Sequence, residues 1–237
     1  MKAKIKKGAI FLAISFLIIG ISRNMWMINR RTPSDDASIS VTTSMLPSMS
    51  VEDLFRESSL VALGTYTGES DTFHIRAAGG GERIYTDYTF RLDTAVFGEN
   101  ENPTITVRLR GGTIGDETEI YEQNPVFESA QEYLLFLYQP GRGGSYNTEG
   151  DYYYVVTMCQ GAFEKQEDGS FVSGMGAVLR EYELTAPMGL EPSDPISARE
   201  TYLENLKGTY ESGVITKEAY ERKTAEINEY ATIVEGE

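Results

Sequence analysis

The sequence predicts a mainly β protein: a five-stranded OB-like barrel with an N-terminal transmembrane helix ahead of it and a C-terminal two-helix hairpin behind it. Three observations predict this. A basic cap runs straight into an uncharged apolar segment at the N-terminus. Runs of alternating apolar and polar residues, separated by glycine-rich turns, fill the middle of the chain. Residues 197–237 instead repeat apolar positions every three or four residues.

At the N-terminus, MKAKIKK is followed by an uncharged run from Gly8 to Ser22. Continued to Ile28, this stretch would form a helix of about 31 Å, which matches a hydrocarbon core of about 30 Å. Arg23 would snorkel to the far interface, and Trp26 would sit among the headgroups. The four leading lysines set the N-terminus inside and the remainder outside. Residues 1–31 are therefore expected as a cytoplasmic basic cap and signal-anchor in contact with the lipid bilayer. The expected location is the cell membrane, single-pass, with the C-terminal domain extracellular. A cleaved signal peptide is the competing reading, although the exit GISRNMWMINRR offers bulky and basic residues where a peptidase needs small ones. Residues 32–49, rich in Ser, Thr, Asp and Pro, read as a tether.

The barrel is expected over residues 50–186. Ser50, with Asp53 three positions later, caps a short helix whose apolar side is Val51, Leu54 and Phe55. LVALGTYTGES reads as the first strand. After the AAGGGER loop, IYTDYTFRLDTAVFG is long enough to curl, as a closed barrel requires. TITVRLRGG alternates cleanly, setting Ile105, Val107 and Leu109 on one face and Thr106, Arg108 and Arg110 on the other. EYLLFLY is apolar throughout, like a central strand, and ends at Pro140. Tyr152 to Met158 supplies the fifth strand, GSFVSG and GAVLREYELTA are candidates for a closing hairpin, and the connection from Gly111 to Ser129 is placed across the barrel mouth.

Residues 187–196, with Pro192 and Pro195, form a linker to the hairpin at 197–237. Ser197 with Glu200 makes a capping box, and Leu203, Leu206 and Tyr210 recur at helical spacing. SGVIT marks the turn, after which Thr216 caps a second helix striped with Tyr220, Thr224, Ile227 and Ala231.

Taken together, SSLVALGTYTG, YTDYTFRLDTAVFGE, TITVRLRGG, PVFESAQEYLLFLY and CQGAF resemble uncharacterised extracellular domains of Gram-positive bacteria. They are distantly similar to the netrin and tissue metalloproteinase inhibitor modules. Gly64, Gly98, Gly111, Gly112, Phe136, Leu137, Gln160 and Gly161 carry the likeness. It does not imply protease inhibition, because those inhibitors present an N-terminal cysteine to the enzyme's zinc and this chain has none at the domain start. The C-terminal segment resembles the short SHOCT family through Leu203, Leu206, Gly213, Ile215, Thr216, Glu218, Tyr220, Glu221, Lys223 and Ile227. That resemblance implies an oligomerisation or interaction element, with Leu203, Leu206, Tyr210, Ile215, Tyr220 and Ile227 as its contact residues.

Composition narrows the function. The chain has 237 residues and a net charge of −15, and because residues 1–31 hold seven basic groups and no acidic one, the rest carries all 36 acidic groups against 14 basic. Such a surface repels phosphate backbones, so nucleic acid is not an expected partner. One histidine and one cysteine leave nothing for a His-based triad or a Cys/His metal cluster, and no cofactor or metal is expected. GGTIGDET lacks the lysine of a phosphate-binding loop. His74 reads as strand or loop decoration, and Cys159 as a small buried hydrophobe. Tyr152, Tyr153 and Tyr154 are the candidate aromatic contact for a protein or glycan, with Tyr153 facing away from its two neighbours. No catalytic residue is assigned. The expected role is a membrane-anchored extracellular interaction or structural protein, with a second copy or an envelope protein as partner. An extracytoplasmic hydrolase or accessory subunit of an envelope enzyme is the alternative, and it would need two converging carboxylates.

Overall fold

A computed structural model describes residues 38–43, 47–77, 79–141, 144–180, 183–187, 189–193, 195–228 and 231–234. Helix α1 (Val51–Glu57) opens the domain. Ser50 caps it as the sequence indicates, its hydroxyl accepting from the Asp53 amide at 3.1 Å. Two long strands follow, β2 (Leu60–Arg76) and β3 (Glu82–Phe97), then β4 (Thr104–Arg110). Next come the short β5 (Gly112–Ile114) and β6 (Glu117–Tyr121), the central β7 (Glu132–Tyr138) and β8 (Tyr154–Val155). Strands β9 (Ala162–Lys165), β10 (Phe171–Ser173) and β11 (Val178–Leu179) precede helices α2 (Pro195–Glu211) and α3 (Lys217–Asn228). The last strand is β12 (Thr232–Val234).

The main sheet runs β11-β10-β9-β7-β2-β3-β4, with β8 on β7 and β12 on β2. It curls until its β4 edge meets the segment entering β8, where Arg108 N–H donates to Tyr153 O at 2.8 Å and Tyr153 N–H to Thr106 O at 2.9 Å. A separate small sheet pairs β6 with β5 and, in parallel, with β1 (Ser38–Thr42), a strand inside the segment read as a tether.

Burial on both faces explains why β7 is apolar throughout. Tyr133, Leu135 and Leu137 point into the curl with Leu60, Ala62, Phe90, Ile105, Val107 and Leu109. Leu134 and Phe136 point outward, against Phe55 of α1, Phe163 of β9 and Phe171 of β10. Each face carries edge-to-face ring pairs, such as Phe55–Phe136 at 5.1 Å and Phe127–Tyr133 at 5.2 Å. A third cluster joins Ile75 and Tyr85 to Ala231 near the C-terminus. Gly98 ends β3 at φ 75°, and a Cβ there would collide with the Ser59 carbonyl, so only glycine lets the two strand ends approach this closely.

The predicted fold class is corrected in two respects. Among the described residues the main sheet has nine strands, not the five of an OB-like barrel: the candidate closing hairpin forms as β10 and β11, β9 joins it to β7, and Phe163, Phe171 and Leu179 bury a second, outer face. Among the described residues no helix is long and apolar enough to cross a membrane. Residues 1–31, on which the signal-anchor, the bilayer contact and the cell-membrane topology were expected, lie outside the described residues. The expected membrane-anchored role and location are therefore without support from any described helix. The Ser197 and Glu200 side chains of the expected capping box also lie outside them.

Candidate functional site

The polar face of β4 builds the site. Arg108 and Arg110 stand two residues apart on the same side of the strand and meet opposite fates. Arg108 is 4% exposed and fully engaged. Its Nε and Nη2 donate to the two Asp87 oxygens at 2.7 and 2.8 Å, and Nη1 donates to Thr148 Oγ1 at 2.7 Å. The guanidinium lies 3.7 Å from the Tyr152 ring centroid and 4.9 Å from that of Phe73. Burial alone would lower its pKa, but the hydrogen bond and charge of Asp87 reverse this and hold it above the ordinary value.

Arg110 is exposed, and among the described residues its side chain forms no ion pair. It opens onto a cavity of about 400 Å³ whose walls include Arg108, Asn124, Tyr138, Asn147, Tyr154 and Met158. Among the described residues that line it there is no Asp or Glu. Burial opposes the Arg110 charge, but the phenols of Tyr85, Tyr121 and Tyr154 more than compensate, and its pKa is raised. Tyr85 is fully buried and its hydroxyl makes no hydrogen bond of normal geometry. Burial pushes that phenol up to about 12, with Arg110 pulling the other way.

The two asparagines offer acceptors. Asn124 Nδ2 donates to Arg110 O at 2.5 Å and Asn147 Nδ2 to Gly141 O at 2.9 Å, which commits both amino groups to the backbone and leaves the Oδ1 atoms free of hydrogen bonds among the described residues. Tyr138 and Tyr154 lie 5.7 Å apart and form an aromatic wall. Burial raises the pKa of both, so each remains a neutral hydroxyl able to donate or accept. Thr157 and Met158, both at positive φ, turn the chain so that Met158 reaches the cavity.

Of the three candidate tyrosines, only Tyr154 reaches this cavity. Tyr152 and Tyr153 are 2% and 6% exposed and are therefore interior residues. Tyr152 stacks on Arg108 and its ring stands edge-on to Tyr154 at 5.5 Å, while Tyr153 turns into the curl and accepts from Asn100 Nδ2 at 3.1 Å. The alternation read from the sequence is what separates them. In the hairpin, Leu206 is buried, and Leu203, Tyr210, Ile215, Tyr220 and Ile227 are half-buried. Tyr210 and Tyr220 stack on each other at 4.9 Å, so this part of the stripe meets itself within the chain, and nothing supports a second copy or an envelope protein as its partner. His74 bonds Glu117 at 3.1 Å. Cys159 is buried, and burial raises its thiol pKa. Among the described residues no group of three His, Cys, Asp or Glu side chains is placed to hold a metal ion.

Sequence reasoning missed Arg110, Asn124 and Asn147. The alternation of TITVRLR put Arg110 on the outer face of β4, but the asparagines come from separate loops that only the curl of the sheet brings together. No family model matches the chain, and neither a curated protein nor a solved structure matches it.

Proposed function

We propose that this domain is a binding module for a small carboxylate that also carries hydrogen-bond donors, and that it holds the ligand without transforming it. The observation that carries this reading is Arg110, an arginine with no ion-pair partner among the described residues, in a cavity whose described lining residues include no acid. The neighbouring Arg108 has its acid, Asp87, and needs nothing more. A carboxylate matches the guanidinium fork, and the free Asn124 and Asn147 oxygens and the two tyrosine hydroxyls suit ligand hydroxyl or N–H groups. A single open cation among the described lining residues, on a chain of net charge −15, favours a monoanion over a phosphate dianion.

The test is calorimetric titration of glucuronate, lactate and 4-hydroxyphenylacetate, with glucose and inorganic phosphate as controls. At least one carboxylate is expected to bind. Arg110→Gln is expected to weaken it by roughly 10- to 100-fold, which corresponds to one charge-assisted hydrogen-bonded pair. Binding of none of the three acids, or equal binding to the variant, would overturn the reading.

A further inference from the structure

We infer that the C-terminal strand β12 is a positioning clasp for this cavity, so that docking of the strand and occupation of the cavity are linked. The inference rests on the carboxylate reading for its ligand and on backbone geometry for its mechanics. Ala231, directly before β12, is 6% exposed and touches the cavity wall in two ways. Its N–H donates to Asn147 O at 2.9 Å, and Asn147 in turn donates through Nδ2 to Gly141 O at 2.9 Å. Asn147 and Gly141 both line the cavity. The Ala231 methyl lies in the cluster of Ile75 and Tyr85, against which Tyr146 and Tyr154 pack, and Tyr85 and Tyr154 are two of the phenols that favour the Arg110 charge. One residue thus supports both the amide wall and the aromatic bed of the open guanidinium.

The attachment is slight. β12 pairs with β2 over three residues only, Thr232 with Arg76, Ile233 with Ile75 and Val234 with His74. Ile233 remains 42% exposed. So short an edge strand belongs to the part of a fold that opens at low free energy. If the cavity binds its ligand best with Asn147 held in place, linkage requires that the ligand in return tighten the strand, by the same factor.

The test uses the full chain and hydrogen exchange followed by mass spectrometry. Ala231→Pro removes the donated N–H, and Ala231→Gly retains it. A second variant, Arg76→Cys with Thr232→Cys, joins directly paired positions across the ladder, where the usual antiparallel Cα spacing of about 4.5–5.5 Å falls in the range of a disulfide; Cys159, the native thiol, is buried. Exchange over residues 144–148 is expected to rise at least tenfold in the proline variant relative to the glycine variant. It should fall in the oxidised cross-linked chain relative to its reduced form. Glucuronate is expected to bind several-fold more weakly to the proline variant and to slow exchange over residues 231–234 in the wild type. Unchanged exchange at 144–148 in both comparisons would overturn the clasp. Altered exchange at 144–148 with none of glucuronate, lactate and 4-hydroxyphenylacetate bound by the wild type or any variant would support the mechanical coupling and refute the carboxylate instead.

Discussion

Removing the Asp87 carboxylate should destabilise the domain more than its partial exposure suggests. The side chain of Arg108 is only 5% exposed and that of Asp87 20%, so the pair is largely shielded from water. Asp87→Ala deletes both short hydrogen bonds and leaves a buried guanidinium with Thr148 and the faces of Tyr152 and Phe73. A buried charge stripped of its partner costs about 3–5 kcal/mol. The remaining hydroxyl and ring contacts place Asp87→Ala at the lower end, about 3 kcal/mol. For a domain of this size that corresponds to a fall in Tm of about 6–12 °C. Asp87→Asn keeps one acceptor oxygen and should lose about half as much. The discriminating measurement is urea unfolding of Asp87→Ala, Arg108→Met and the double variant. If the penalty comes from an orphaned charge, the double variant is more stable than Asp87→Ala alone, because the charge has gone as well. Asp87→Ala within about 0.5 kcal/mol of wild type, or strictly additive losses, would refute this account.

Three further outcomes follow from the same geometry. Gly98→Ala should cost about 2 kcal/mol or more by chemical denaturation, since the new methyl meets the Ser59 carbonyl and the backbone sits at φ 75°. The Tyr85 phenol is raised from about 10 in the unfolded chain to about 12 in the folded one, so its contribution to stability is complete below pH 10 and is lost as pH rises from 10 through 12. Because that hydroxyl makes no hydrogen bond of normal geometry among the described residues, Tyr85→Phe should be neutral or stabilising at pH 7 and should flatten the decline above pH 10 in unfolding titrations; a large loss at pH 7 would contradict this. Cys159, buried and with a raised thiol pKa, should react with a thiol reagent at pH 7 only upon unfolding, and rapid native labelling would count against the described packing.

How far the sequence could be read depended on the length of each pattern. Seven residues of strict alternation in β4 were enough to put Ile105, Val107 and Leu109 inside and Arg108 and Arg110 outside. The same rule separated Tyr153 from Tyr152 and Tyr154. It missed β9, whose four residues are too few to show a period, whereas GSFVSG and GAVLREYELTA, read as candidates for a closing hairpin, do pair with each other as β10 and β11 over the outer apolar face. It also failed for β1, where Ser and Thr suggested a tether but parallel pairing with β6 made a strand. Asn147 was beyond reach from sequence, because its place depends on a hydrogen bond from Ala231, far along the chain. The distinction between Arg108 and Arg110 was hidden for a similar reason: Asp87 lies directly across the ladder from Arg108, and only the register of β3 against β4 reveals that one arginine is matched and the other is not.

The way β2 shares its edges also bears on how the chain is made. One edge is taken by β3, which follows it at once, while the other is divided between β7 at Leu60–Thr65 and β12 at His74–Arg76. During synthesis the far end of that second edge must wait for the last strand of the domain. Until Ile233 emerges, Ile75 presents unpaired backbone groups that any extended segment could mimic. A chain that stops early, through a nonsense codon or a proteolytic cut after α3, would leave that opening permanently, and such fragments are the ones expected to associate with one another.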